Sequence, residues 1–283
     1  VNKVIGLGNF ASIVADEMRS HPEYTIYKMK EESTSPDTLA LGVLGDMKDY
    51  EENLNLEEAK FFLKSITPED TVLLIVDGGS SISGAALRIL ELINKSSLRV
   101  LYIVPDLELA SSDELVYHRI CLGVLQEFAR SGLIQELYIA DKTKAEEMVG
   151  DVSVADYERS VANFISYAVA MTNYFSHIKP ILESKASRPP WCNISAFGIA
   201  TFEDSLLRDL YALQDIESIH FYYGIPEAEL QKDNSLIKKI KTHVKNQKSA
   251  DKTVSFSVYS TTFDRVMILA QAYTSHVQKI ENL

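Results

Sequence analysis

Apolar and polar positions fall into two alternating kinds of segment along this chain. Short continuous apolar runs end in glycine or proline, and stretches with helical spacing follow them. Val4-Ile5-Gly6-Leu7-Gly8 is the first run; residues 11–18 then carry Ile13, Val14 and Met18 on one helical side. Residues 24–29 alternate as a strand does. The stretch 71–76 (TVLLIV) is apolar throughout, the signature of a parallel strand covered on both faces. It ends at Asp77-Gly78-Gly79, and 84–93 reads as a helix. Residues 99–104 and 137–140 are further buried strands, while 113–131 and 154–182 are helices, the second being the longest. Buried strand alternating with helix predicts a doubly wound, mostly parallel α/β sheet.

Residues 185–190 (KASRPP) are polar and end in two prolines. They divide the chain into an α/β domain of nucleotide-binding type (1–183), which includes the long helix, and a smaller α+β domain (184–283). The second unit reads as a strand (192–199), a helix (205–213), a strand (218–223) and a lysine-rich helical stretch (233–248). Two strands follow (253–260 and 266–273), and the spacing predicts that they pair as a hairpin. Trp191, beside the prolines, is expected at the seam.

Composition narrows the function classes. The chain has 283 residues, 46% of them hydrophobic, which excludes wholesale disorder. Twenty-eight Lys and Arg against 40 Asp and Glu give −12. That balance opposes sequence-independent binding to nucleic acid or anionic membranes, since both need a basic face. Lys238, Lys239, Lys241, Lys245 and Lys248 form a local exception, read either as a solvated face or as a contact for an acidic neighbouring subunit. Cys121 and Cys192 sit in apolar surroundings and read as buried free thiols of a cytoplasmic protein. No apolar run reaches about 18 residues, so no membrane span is expected. The histidines lack metal-helix spacing, and no G-x-S-x-G occurs.

Candidate chemistry gathers at two glycine turns, each leaving a predicted strand for a predicted helix. One is Gly6-Leu7-Gly8-Asn9-Phe10-Ala11-Ser12; the other is Gly78-Gly79-Ser80-Ser81-Ile82-Ser83-Gly84. Free amides and the helix dipole at such turns favour phosphate. The same residues also suit purely structural work, glycine for turn geometry and serine for helix capping. Asp113 and Glu114 fit a helix start equally well.

The order of these pieces resembles the tubulin/FtsZ superfamily, most closely its phage and plasmid tubulin-like members. The first turn resembles the family's opening glycine loop, and Gly78 to Gly84 resembles its G-G-G-T-G-[ST]-G signature, with Ser80 and Ile82 in place of glycines. Tyr102-Ile103-Val104-Pro105 with Ser111 to Glu114, then Leu137 to Asp141, then Ala162-Asn163-Phe164 follow in family order. The resemblance implies GTP with Mg2+ as ligand and head-to-tail self-association. Gly8, Asn9, Ala11 and Ser12 would border the phosphates, and Gly78, Gly79, Ser80, Ser81 and Ser83 would cradle them. Glu114 would approach the ribose. Asp141 and Asn163 would face the base, with Tyr157 stacked on it. The family's hydrolytic acids lie after the long helix, where residues 176–191 hold one acid, Glu183; hydrolysis is expected to be weak or absent.

The implied function is a cytoskeletal or scaffolding protein, with a phage-encoded origin consistent with its closest resemblance. Two rivals stand beside it. One is a tubulin-like structural or virion subunit that binds no nucleotide. The other is a Rossmann-type NAD(P) enzyme, since the first turn fits G-x-G-x-x-A with Glu31 or Glu32 some twenty residues on for a ribose.

Overall fold

The computed structural model describes residues 1–33, 35, 37–202 and 208–279. The first half runs β1 (Lys3–Leu7), α1 (Asn9–Glu17), β2 (Thr25–Lys30), β3 (Thr38–Ala40), α2 (Met47–Asn53), α3 (Leu56–Phe62) and β4 (Thr71–Asp77). A 3-10 turn (Ser81–Ala85) leads into α4 (Ala86–Leu92), then β5 (Ser97–Val104), α5 (Ser112–Ser131), β6 (Glu136–Asp141), α6 (Lys142–Val149) and the long α7 (Tyr157–His177). The second half comprises β7 (Leu182–Glu183), β8 (Ile194–Ala200), β9 (Arg208–Asp209), β10 (Ser218–Pro226), α8 (Glu227–Lys232), α9 (Leu236–Gln247), β11 (Thr253–Thr261) and β12 (Met267–Thr274).

One sheet carries all of this, in the order β3-β2-β1-β4-β5-β6-β8-β12-β10-β11-β7, with β9 on β8. Strands β1 to β6 are parallel, as their unbroken apolar runs require. Successive residues alternate between two cores. Ile5, Leu74, Val76 and Val100 face α4 and α5 with Ile89, Leu122 and Leu125. Val4, Leu73, Ile75 and Leu101 face α1 and α7 with Val14, Val161 and Ile165. Helix α7 also reaches the second half, where the Phe175 ring stacks on Tyr259 with 4.5 Å between centroids.

The join between the halves is narrow: β6 meets β8 at Leu137–Ile194 and Tyr138–Ser195 only. A buried polar knot reinforces it. Glu136 Oε1 accepts from Gln271 Nε2 at 2.6 Å, Arg188 Nη1 at 3.0 Å and the Ser195 hydroxyl at 3.2 Å. A buried carboxylate needs this many donors to offset its desolvation.

Three expectations need correcting. Strands β11 and β12 do not form a hairpin: β10 lies between them, parallel to β11 and antiparallel to β12. The connection 262–266 is not a two-residue turn, and Phe263 packs against the Tyr174 ring. The predicted helix 205–213 lies partly outside the described residues; its remainder begins with the short strand β9, which pairs with β8. Trp191 is 62% exposed rather than packed at a seam, its indole N–H donating to Glu217. Both cysteines are free and buried, as expected. No helix among the described residues is long and apolar enough to cross a membrane.

Candidate functional site at the mouth of the sheet

The order β3-β2-β1-β4-β5-β6 reverses direction between β1 and β4. In an open parallel sheet that reversal leaves a crevice at the carboxyl ends of the two strands, where their loops turn to opposite faces. Both glycine turns open at this crevice. The β1 loop carries Gly8 (φ 104°), and the β4 loop carries Gly78 and Gly79 (φ 81°).

The crevice contains a carboxylate of the protein itself. Asp77, the last residue of β4, accepts the Phe10 N–H at 3.0 Å, in the first turn of α1. Phe10 is 6% exposed. Burial pushes the Asp77 carboxyl up to about 6; the Phe10 amide and Lys142 pull it down, and Glu158 and Glu114 add to the rise. The Lys142 ammonium lies over the Phe10 ring at 4.6 Å and near the Tyr157 ring at 5.8 Å. Tyr157 in turn donates its hydroxyl to Glu146. Phe10, Lys142 and Tyr157 therefore form one cation–aromatic cluster linking α1, α6 and α7.

Several other polar groups of the turns are bonded within the chain. Gly8 N–H donates to Met29 O, Gly78 N–H to Ile103 O and Ser12 N–H to Gly8 O. The Ser12 hydroxyl donates to Gly8 O at 2.7 Å and the Ser80 hydroxyl to Asp77 O at 2.6 Å. The Ser81 hydroxyl donates to Glu31, whose carboxylate also holds Tyr50. Ser83 is buried, and its carbonyl faces the Cys121 thiol. The glycines are also taken up by packing. A Cβ on Gly78 would lie 2.2 Å from Ile103 O, on Gly8 2.5 Å from Asp77 Cβ, and on Gly84 2.0 Å from Met47 O. Ile82, beside them, is buried in the α4/α5 core.

The remaining candidates divide between the rim and elsewhere. Asn9 is exposed and Ala11 buried at the start of α1. Glu114 closes a capping box on α5 with Ser111, accepting the Ser111 N–H at 2.7 Å. Asp141 caps α6 through the Thr143 and Lys144 amides, and burial raises its carboxyl above the usual range. Asn163 lines a separate polar groove of about 410 Å³ with Glu17, Asp156, Arg159 and Ser160, on the outer side of α7. No cluster of three or more His, Cys, Asp or Glu able to hold a metal occurs among the described residues. Sequence reasoning missed Asp77 and Lys142. Each is the residue immediately next to a predicted site position, and the signal was an ionisable side chain at a strand end.

This architecture is the tubulin/FtsZ fold. No protein-family profile matches the chain, and no curated protein matches it by sequence. Solved structures do. CetZ2 from Haloferax volcanii, a GTPγS-bound protofilament, superposes with a TM-score of 0.74 at 12% identity, covering 95% of this chain and 92% of that one. The TubZ protofilament of Bacillus thuringiensis serovar israelensis in its GTPγS form gives 0.67 at 15%, covering 96% and 86%. The FtsZ dimer of M. jannaschii gives 0.66 at 12%, covering 96% and 87%. Similarity at this level of identity establishes the fold.

Proposed function

We propose that this protein is a self-associating structural subunit of the tubulin/FtsZ fold, working in the cytoplasm, whose assembly runs without bound nucleotide. One observation carries the reading: the Asp77 carboxylate sits on the Phe10 amide, at the helix start where an anionic ligand would be held. A triphosphate there would meet Asp77 with Glu114 and Glu158 nearby, and like charges at short range oppose one another. The Ser12, Ser80 and Ser81 hydroxyls and several of the turns' amides are already engaged within the chain, while the buried Ser83 hydroxyl has no partner among the described residues. With the Asp77 carboxylate on the amide at this helix start, the residues do not fit GTP with Mg2+. Glu183, the one acid in residues 176–191, lies exposed on β7 beside β11. Glu31, the ribose acid of an NAD(P) reading, is held by Tyr50 and Ser81.

Likeness to proteins solved as dimers and protofilaments supports self-association, and head-to-tail stacking is the arrangement proposed. The test is sedimentation of nucleotide-stripped protein over a concentration series. The expected result is the same pelleted fraction with GTP, GDP or neither. Pelleting only with GTP would overturn nucleotide independence, and a monomer under all conditions would overturn self-association.

A further inference from the structure

We propose that the lysine face of α9 docks on the loop between β5 and α5 of a second copy of this chain. The inference rests on self-association as proposed above, but on different residues. Helix α9 buries Leu236, Ile240, His243 and Val244 against its own sheet. Its outer face carries Lys238, Lys241 and Lys245, spread over about 10 Å of helix. Ile237 is exposed beside them, and a shallow hollow of about 400 Å³ lies between, also lined by Asn234 and Thr242. Among the described residues these three lysines enter no ion pair. A basic face is conspicuous on a chain of net charge −12.

The complementary surface is the loop 105–111 with the first turn of α5. It holds Asp106, Glu108, Asp113 and Glu114 and no basic residue. Leu109 projects from the middle of it, 84% exposed. The Asp106 carboxylate accepts the Glu108 and Leu109 amides at 3.0 and 3.3 Å, fixing the turn that presents this side chain. The exposed Leu109 with carboxylates around it thus matches a hollow in which Ile237 is flanked by three ammonium groups. Burying the apolar centre supplies attraction, and the charges set register and exclude the reversed pairing.

The two surfaces belong to different parts of the fold: the loop follows the carboxyl end of β5, whereas α9 runs back along the sheet from the carboxyl end of β10 to the start of β11. The contact joins two unlike surfaces, and in the head-to-tail arrangement proposed above its repetition extends a chain of copies.

The experiment is sedimentation velocity on three proteins: wild type, the variant Lys238→Glu/Lys241→Glu/Lys245→Glu, and the variant Glu108→Lys/Asp113→Lys. All altered side chains are exposed, and circular dichroism verifies the fold. Each variant alone is expected to need about tenfold more protein to assemble, or more. An equimolar mixture is expected to regain wild-type assembly, because each reversed face then meets its complement. Wild-type assembly by either variant alone, or a mixture that fails to recover, overturns the docking proposal and leaves self-association standing. A wild-type monomer overturns both.

Discussion

Gly84→Ala is expected to destabilise the fold by about 3 kcal/mol or more. A Cβ at this position would stand 2.0 Å from the Met47 carbonyl oxygen and 2.9 Å from its carbonyl carbon. Those are backbone atoms at the start of α2, and they cannot swing aside as a side chain would. Relief requires α2 or the 3-10 turn to move, and the turn is anchored by Ile82 in the core and by the Ser83 N–H on Ser80 O. Gly123, in mid-α5, is the control. A Cβ there meets nothing within 4 Å, so Gly123→Ala should stabilise by about 1 kcal/mol through helix propensity alone. Urea unfolding of the two variants checks both signs. The contrast bears on function: in a ligand cradle the missing Cβ leaves room for the ligand, whereas at Gly84 it leaves room for α2. A Gly84→Ala protein as stable as wild type would contradict the packed reading of this turn.

Asp77→Asn is expected to stabilise the protein at neutral and alkaline pH, and to do nothing in acid. The Asp77 carboxyl titrates at about 6 in the fold against 3.8 in an unfolded chain, because burial disfavours its charged form. A carboxyl raised in this way favours the fold fully below the unfolded value, and that contribution is lost as pH rises through the folded one. Near pH 8 wild type therefore carries a penalty of about 2–3 kcal/mol that the amide lacks. The Asn oxygen can still accept the Phe10 N–H. Below about pH 3 the wild-type carboxyl is protonated in both states, and the difference should vanish. Thermal unfolding of the pair from acid to alkaline pH reads the effect. A constant difference, or a loss of stability near pH 8, would mean that Asp77 is not a buried charge at this helix start.

The layered sheet was legible because buried parallel strands must be apolar along their whole length. Residues 71–76 and 99–104 announce two such strands, and Gly78-Gly79 after the first and Pro105 after the second announce where the loops open. Helix α7 was equally plain from its length and spacing. The second half was harder. Strand β12 inserts between β8 and β10, a pairing set by packing against Phe175 and Phe197 rather than by any turn motif, and neighbours in sequence suggested a hairpin instead. Trp191 appeared seam-bound from its prolines, yet its indole is held at the surface by Glu217. At the mouth of the sheet, spacing located the two turns and identified their hydroxyls. It could not reveal where those hydroxyls point, since Ser12, Ser80 and Ser81 each find a partner within the chain that only the folded backbone supplies.

The crevice between β1 and β4 is either taken up by the chain's own groups or open to a nucleotide. Equilibrium dialysis of nucleotide-stripped wild-type protein against labelled GTP with Mg2+ measures this directly. No saturable binding is expected, even with GTP in large excess. Saturation at one GTP per chain, displaced by unlabelled GTP and weakened by Ser12→Ala with Ser80→Ala, would contradict it.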